Sequence, residues 1–175
     1  MAFCLLSNIP GHGRAIADSH LDLPKVDATR DSLDIQDFAQ FKALNDLPMG
    51  MTAHVVYTAL DKAPATLSKN IMDVIRTDID FDGLIMTDDI SMKALSGDLG
   101  MLSRASIEVG CDVVLHCNGT LSERTQVAQA AGEMTDIAQK CVICAVEMRK
   151  TPDMIDIAAL DAKLEALLGG GAFAQ

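Results

Sequence analysis

Three times along the chain a short apolar run is preceded by a stretch with helical spacing and followed at once by polar residues. That alternation constrains the fold more than any other feature, because strands joined by helices pair in parallel and bury both faces. The first strand candidate is 50–57, fed by a helix over 35–45 that begins after Asp34, a good N-cap, and separated from it by Pro48. The second is 83–87, reached through a helix over 68–77 in which Leu67, Ile71, Val74 and Ile75 fall near helical spacing and Ser68 or Thr66 supplies the cap. The third is 111–117, after a helix over 102–109 that Gly110 terminates. Helices over 121–134 and 160–168 follow, and Gly169-Gly170-Gly171 then breaks the pattern. The expectation is an α/β fold in one unit, 1–168, with a loose tail over 169–175.

Charge narrows the partners. Fourteen Lys and Arg stand against 25 Asp and Glu, a net charge of −11 that repels phosphate backbones and anionic membrane surfaces alike. With no Trp and one Tyr there are no platforms for stacking bases, so nucleic acid is not an expected partner. No apolar run approaches the roughly 20 residues of a membrane span, and the start lacks the features of a secretory signal. Five cysteines, an odd number, fit a reducing compartment, and the expected location is intracellular.

Chemistry-bearing residues gather where strands end: His54 late in the first candidate, Thr87, Asp88 and Asp89 after the second, His116 and Asn118 at the end of the third. The carboxyl ends of parallel strands are where α/β active sites form. Asp88 or Asp89 can hold a carboxylate rigidly at such an end, or cap the next helix. The loop Ile9-Pro10-Gly11-His12-Gly13 adds glycines that allow close approach to a ligand, and Asp18 and His20 follow it. Residues i and i+2 of an extended loop point to one side, so Asp18 can orient the His20 imidazole; Asp18 can equally hydrogen-bond its own backbone. A rival chemistry, metal or redox, would use Cys141 and Cys144 with Cys111, His116 and Cys117, but a single C-x-x-C on an apolar helical face reads first as buried thiols.

Taken in order, Pro10-Gly-His-Gly13, Asp18-Ser-His20, Leu23-Pro24, Met51-Thr-Ala-His54, Pro64-Ala-Thr-Leu-Ser68, Asp82-Gly-Leu-Ile-Met-Thr-Asp-Asp-Ile-Ser-Met92 and 105–112 resemble the β-N-acetylglucosaminidases of glycoside hydrolase family 3. The resemblance covers roughly two-thirds of the chain. It implies the C-terminal half of a (β/α)8 TIM barrel, from about the end of the fifth strand onward, since a complete barrel takes about 250 residues. Where the family has Lys-His before its Pro-Gly-His-Gly loop, at positions that the resemblance implies contact the sugar, this chain has Ser7-Asn8, and the first eight residues are expected to lie outside the family pattern. The implied activity is removal of terminal non-reducing N-acetyl-β-D-glucosamine from muropeptides or related amino-sugar glycosides during peptidoglycan recycling in the bacterial cytoplasm. The implied mechanism is a retaining double displacement with Asp88, not Asp89, as nucleophile and His20, assisted by Asp18, as acid/base. His12 is expected chiefly to brace its loop and stands with His54 as a substrate-binding candidate. No metal and no organic cofactor are expected. A half-barrel leaves two open sheet edges, so a homodimer through those edges, or an inactive self-associating fragment, is the alternative.

Overall fold

The computed structural model describes residues 4–151 and 154–168. The loose tail expected over 169–175 lies outside them. The architecture is α/β, built on a parallel three-stranded sheet in the order β1 (Leu5–Ile9), β3 (Met49–Thr52), β5 (Leu84–Met86). Pairings run Leu5 to Met49, Leu6 to Gly50 and Ile9 to Thr52, then Met49 to Leu84, Gly50 to Ile85 and Met51 to Met86. A second parallel pair joins β2 (Lys25–Val26) to β4 (Val56–Tyr57). Leu6, Ile9, Ile71, Ile75, Phe81 and Ile85 are buried in one core against the sheet. A glycine precedes β5 because nothing larger fits: a Cβ on Gly83 would lie 2.7 Å from the Leu47 carbonyl oxygen and 2.8 Å from that of Pro48.

The apolar-run reading did not mark β1, although the resemblance implies the end of a barrel strand at about this point, and β1 draws four of its five residues from the segment expected to lie outside the family pattern. Its polar Ser7-Asn8 hides the strand from an apolar-run reading, yet Leu6 and Ile9 face the core. The strand expected over 50–57 is two strands. Ala53, His54 and Val55 are fully buried between them, and the chain leaves the sheet there to pair β4 with β2. The strand expected over 111–117 reduces to one bridge, Val113 to Met86. Beyond it the Leu115 N–H donates to the Thr87 hydroxyl at 2.9 Å, so a side chain takes the place of the ladder.

Asp34 caps nothing. The helix begins earlier, at α1 (Arg30–Ser32), capped by the Thr29 side chain, and runs through π-helical Leu33–Phe38 into α2 (Ala39–Lys42). Arg30 reaches Asp34 at 2.8 Å, one turn along the helix. Ser68 does cap the next helix, accepting from the Ile71 N–H, and α3 (Lys69–Asp73) continues as π-helical Val74–Asp78. α4 (Leu99–Val109) is capped by Asp98 and stopped by Gly110, whose φ of 120° suits only glycine. α5 (Leu121–Ala131) opens on a capping box made by Thr120 and Glu123 and ends short of the expected residue 134. α6 (Asp136–Glu147) and α7 (Ile157–Leu167) complete the described chain, and no described helix is long and apolar enough to cross a membrane.

Candidate active site

A cleft of about 440 Å³ lies at the carboxyl ends of the sheet strands, lined by Asn8, His12, Asp18, His20, Met51 and Asp88, with Gly13 and Ser19 completing its rim. Three strands contribute to it directly. Asn8 comes from β1 and Met51 from β3, while Asp88 stands two residues past β5. His12, the Asp18–His20 pair and Asp88, singled out in three separate stretches of sequence, therefore line one cleft.

The loop that carries Asp18 and His20 is tied down at two points. Tyr57, buried and edge-on to Phe38, donates its hydroxyl hydrogen to the Gly11 carbonyl. Arg14 donates to Asp37 at 2.6 Å and to Ser32 at 3.1 Å, fastening the loop to the first helix. Residues 18–22 form a turn, not the expected extended stretch, since the Leu21 and Asp22 N–H groups both donate to the Asp18 carbonyl. The turn serves the same end. Asp18 Oδ1 accepts from the His20 backbone N–H and contacts His20 Nδ1, each at 2.9 Å. The two readings of the motif, a self-bonded loop and an oriented imidazole, thus coexist on one oxygen. The backbone N–H of His20, then its ring, hold the Asp18 carboxyl below the usual carboxylate range. With Nδ1 engaged, His20 is left with Nε2 for another partner.

Asp88 is half-buried, and its Oδ1 accepts from the Asp89 N–H at 2.8 Å. Asp89 caps no helix. Its Oδ1 takes the Ser91 N–H at 3.1 Å and the Ser91 hydroxyl at 2.7 Å, bracing the turn that presents Asp88. Partial burial pushes the Asp89 carboxyl up, but these hydrogen bonds and that from the Cys117 N–H outweigh it and hold it below its ordinary value.

His54 does not line the cleft. It is fully buried, with Nδ1 at 2.7 Å from the Thr66 hydroxyl and Nε2 at 3.0 Å from the Asp89 carbonyl. Burial pushes its pKa below the ordinary histidine value. His116 is half-buried, and both its ring nitrogens are buried without a hydrogen-bond partner among the described residues; Asp89 Oδ1 stands 3.7 Å from Nδ1. Asn8 lines the cleft at a position that the resemblance marks as a sugar contact, whereas Ser19 and Met51 were not singled out.

A larger cavity, about 740 Å³, contains none of Asp18, His20 and Asp88; its walls include Ile107, Val113, Val127, Ile137 and Cys141. The C-x-x-C pair is split by exposure, with Cys141 half-buried and Cys144 exposed. Among the described residues no group of three or more His, Cys, Asp or Glu is placed to hold a metal ion.

Residues 7–148 match the glycosyl hydrolase family 3 N terminal domain, and the chain belongs to that family. Among curated proteins it is 42% identical over 116 residues to a beta-hexosaminidase from Alkalilimnicola ehrlichii, covering 63% of this chain and 33% of that one. A beta-hexosaminidase from Haemophilus influenzae is 37% identical over 133 residues, covering 73% and 37%. The chain thus spans about a third of the length of these relatives. Among solved structures, a family 3 beta-N-acetylglucosaminidase from Paenibacillus superposes with a TM-score of 0.72 at 25% identity over 88% of this chain and 33% of that one. NagZ from Neisseria gonorrhoeae, in complex with N-trifluoroacetyl-D-glucosamine, superposes with a TM-score of 0.65 at 32% identity over 79% and 42%.

Proposed function

We propose that this chain carries the catalytic part of a retaining β-N-acetylhexosaminidase that removes terminal non-reducing N-acetyl-β-D-glucosamine from muropeptides or related glycosides. The observation that supports this best is the convergence of Asp88 with Asp18 and His20 on one cleft. In the first step the Asp88 carboxylate attacks the anomeric carbon and the glycosidic bond breaks, while His20 gives its proton to the leaving oxygen. In the second, His20 takes a proton from water, whose oxygen displaces Asp88 and frees the sugar with its configuration retained. Asp18 orients the imidazole through Nδ1 and stabilises it when charged. His12 lines the sugar side of the cleft and braces its loop. Neither step requires a metal or an organic cofactor.

The strands fit the second half of a (β/α)8 barrel, with three paired in parallel and a fourth position at Val113. No described strand pairs with the outer edge of β1. Such an edge recruits another strand, and a second copy of the chain is the partner we assign to it. Five free cysteines suit a reducing compartment, consistent with a cytoplasmic enzyme of peptidoglycan recycling.

The test is hydrolysis of an aryl β-N-acetylglucosaminide by the purified chain, with the first-formed anomer followed by proton NMR. Release of the β-anomer is expected; inversion, or no release, overturns the catalytic reading. Release of N-acetylglucosamine from a purified muropeptide is expected as well, and its failure alongside aryl hydrolysis would overturn the substrate assignment.

A further inference from the structure

His54 has no exposed surface, and no step of the displacement uses it. Its surroundings admit one order of hydrogens. The Asp89 carbonyl can only accept, so His54 Nε2, 3.0 Å away, carries a hydrogen and donates. In a neutral ring Nδ1 is then the acceptor, and the Thr66 hydroxyl at 2.7 Å must donate to it. That uses the one hydroxyl hydrogen of Thr66, so Thr52, whose hydroxyl oxygen lies 2.8 Å from it, donates in turn. The Ala53 carbonyl, at 3.2 Å, is the more distant claim on the Thr66 hydrogen. Burial of the whole group disfavours the charged ring.

We infer that Thr52, Thr66 and His54 form a one-way buried hydrogen-bond relay that fixes the backbone of Asp89 and makes His54 a positioning residue for the Asp88 carboxylate. The link is short. The residue whose carbonyl His54 holds is the one whose N–H orients Asp88 at 2.8 Å, and its own side chain is held by Ser91. Asp89 is thereby gripped through carbonyl and carboxylate, leaving its N–H to aim the neighbouring carboxylate. A chain of donors in a buried site polarises each member and resists reorientation. The functional half of this inference rests on the reading of Asp88 as nucleophile.

Long-range proton–nitrogen NMR on the labelled full chain reads the ring directly. The expected result is the Nε2–H tautomer at pH 6 and at pH 8; an Nδ1–H tautomer or a charged ring at pH 8 overturns the relay. Thr66→Val removes the donor to Nδ1 and Thr66→Ser keeps it. In the first, the Nδ1 resonance should shift as its hydrogen bond is lost while Nε2 keeps its hydrogen, and exchange of the Asp89 amide should rise about tenfold or more; in the second both should return to the parent values. Unchanged Asp89 exchange in Thr66→Val also overturns the relay. On the aryl glycoside, Thr66→Val should lower kcat about tenfold with KM held within about twofold, because misaimed reacting groups cost rate more than binding. A kcat that survives loss of the Nδ1 hydrogen bond overturns the positioning role. If the parent chain hydrolyses nothing, the nucleophile reading fails while the NMR and exchange results still decide the relay.

Discussion

At the scale of single residues, the site divides its work between groups that meet the cleft and groups that hold them. Asp88, Asp18 and His20 line it; Asp89, Ser91 and Arg14 do the holding. Asp88→Asn should therefore lower kcat on the order of 10³-fold or more on any substrate, as loss of a covalent nucleophile does. His20→Ala should behave differently, costing little in the first step with a good aryl leaving group and much more with a poor alkyl one. Steady-state rates on a leaving-group series separate the two, and equal losses across the series would remove His20 from the acid/base role. His54 makes a prediction about stability. Its folded pKa is depressed by burial, so below about pH 6.5 the unfolded chain takes up a proton that the native state refuses. Stability is then lost as pH falls from there toward the folded value, by up to about 1.4 kcal/mol per pH unit. Urea titrations at pH 7.5 and 5.5 should show this slope in the parent and a shallower one in His54→Gln; equal slopes would mean that other groups carry the acid sensitivity.

At the scale of elements, the cleft depends on where the strands start and on the turns at their carboxyl ends. β5 begins against the carbonyls of Leu47 and Pro48, with Phe81 also closing over Gly83. Gly83→Ala puts a methyl group into backbone atoms that cannot rotate away, and should cost about 1–3 kcal/mol by overpacking. Chemical denaturation measures it, and an unchanged midpoint would show that the 47–48 turn yields. Helix capping was the most legible local feature: Ser68 and Gly110 act as their types require. Strand limits were not. The run 50–57 is apolar and uninterrupted, but a buried strand and a buried crossing segment have the same composition, and only packing distinguishes β3 from the His54 segment.

At the scale of the whole molecule, apolar surface remains without a described partner. Ile137 and Ile143 on α6 and Ile157, Leu160, Leu164 and Leu167 on α7 are each more than half exposed, and α7 buries no residue. Together with the open edge of β1 these side chains offer surface of the kind that recruits a partner. The chain in solution should therefore run as a dimer on size exclusion with light scattering. A monodisperse species at 18.6 kDa with a cooperative melt would show that it satisfies these surfaces by itself.

The sequence alone determined the α/β class and the Ser68 and Gly110 caps, because these rest on residue type at short spacing, whereas Asp18, His20 and Asp88 were picked out by the resemblance of their motifs to the family. The tertiary structure decided everything that depends on distant segments meeting. It joined the 18–20 turn to Asp88 across some seventy residues of chain. It recruited Leu5–Ile9 as a strand in spite of its polar centre, because pairing with Met49–Thr52 satisfies its backbone and only Leu6 and Ile9, on either side of a register shift, turn into the core. It also took His54 from the cleft wall into the core. A histidine late in a strand candidate carries no mark of which way it faces; the Thr66 hydroxyl and the Asp89 carbonyl, 12 and 35 residues away, settle that by satisfying both ring nitrogens at once.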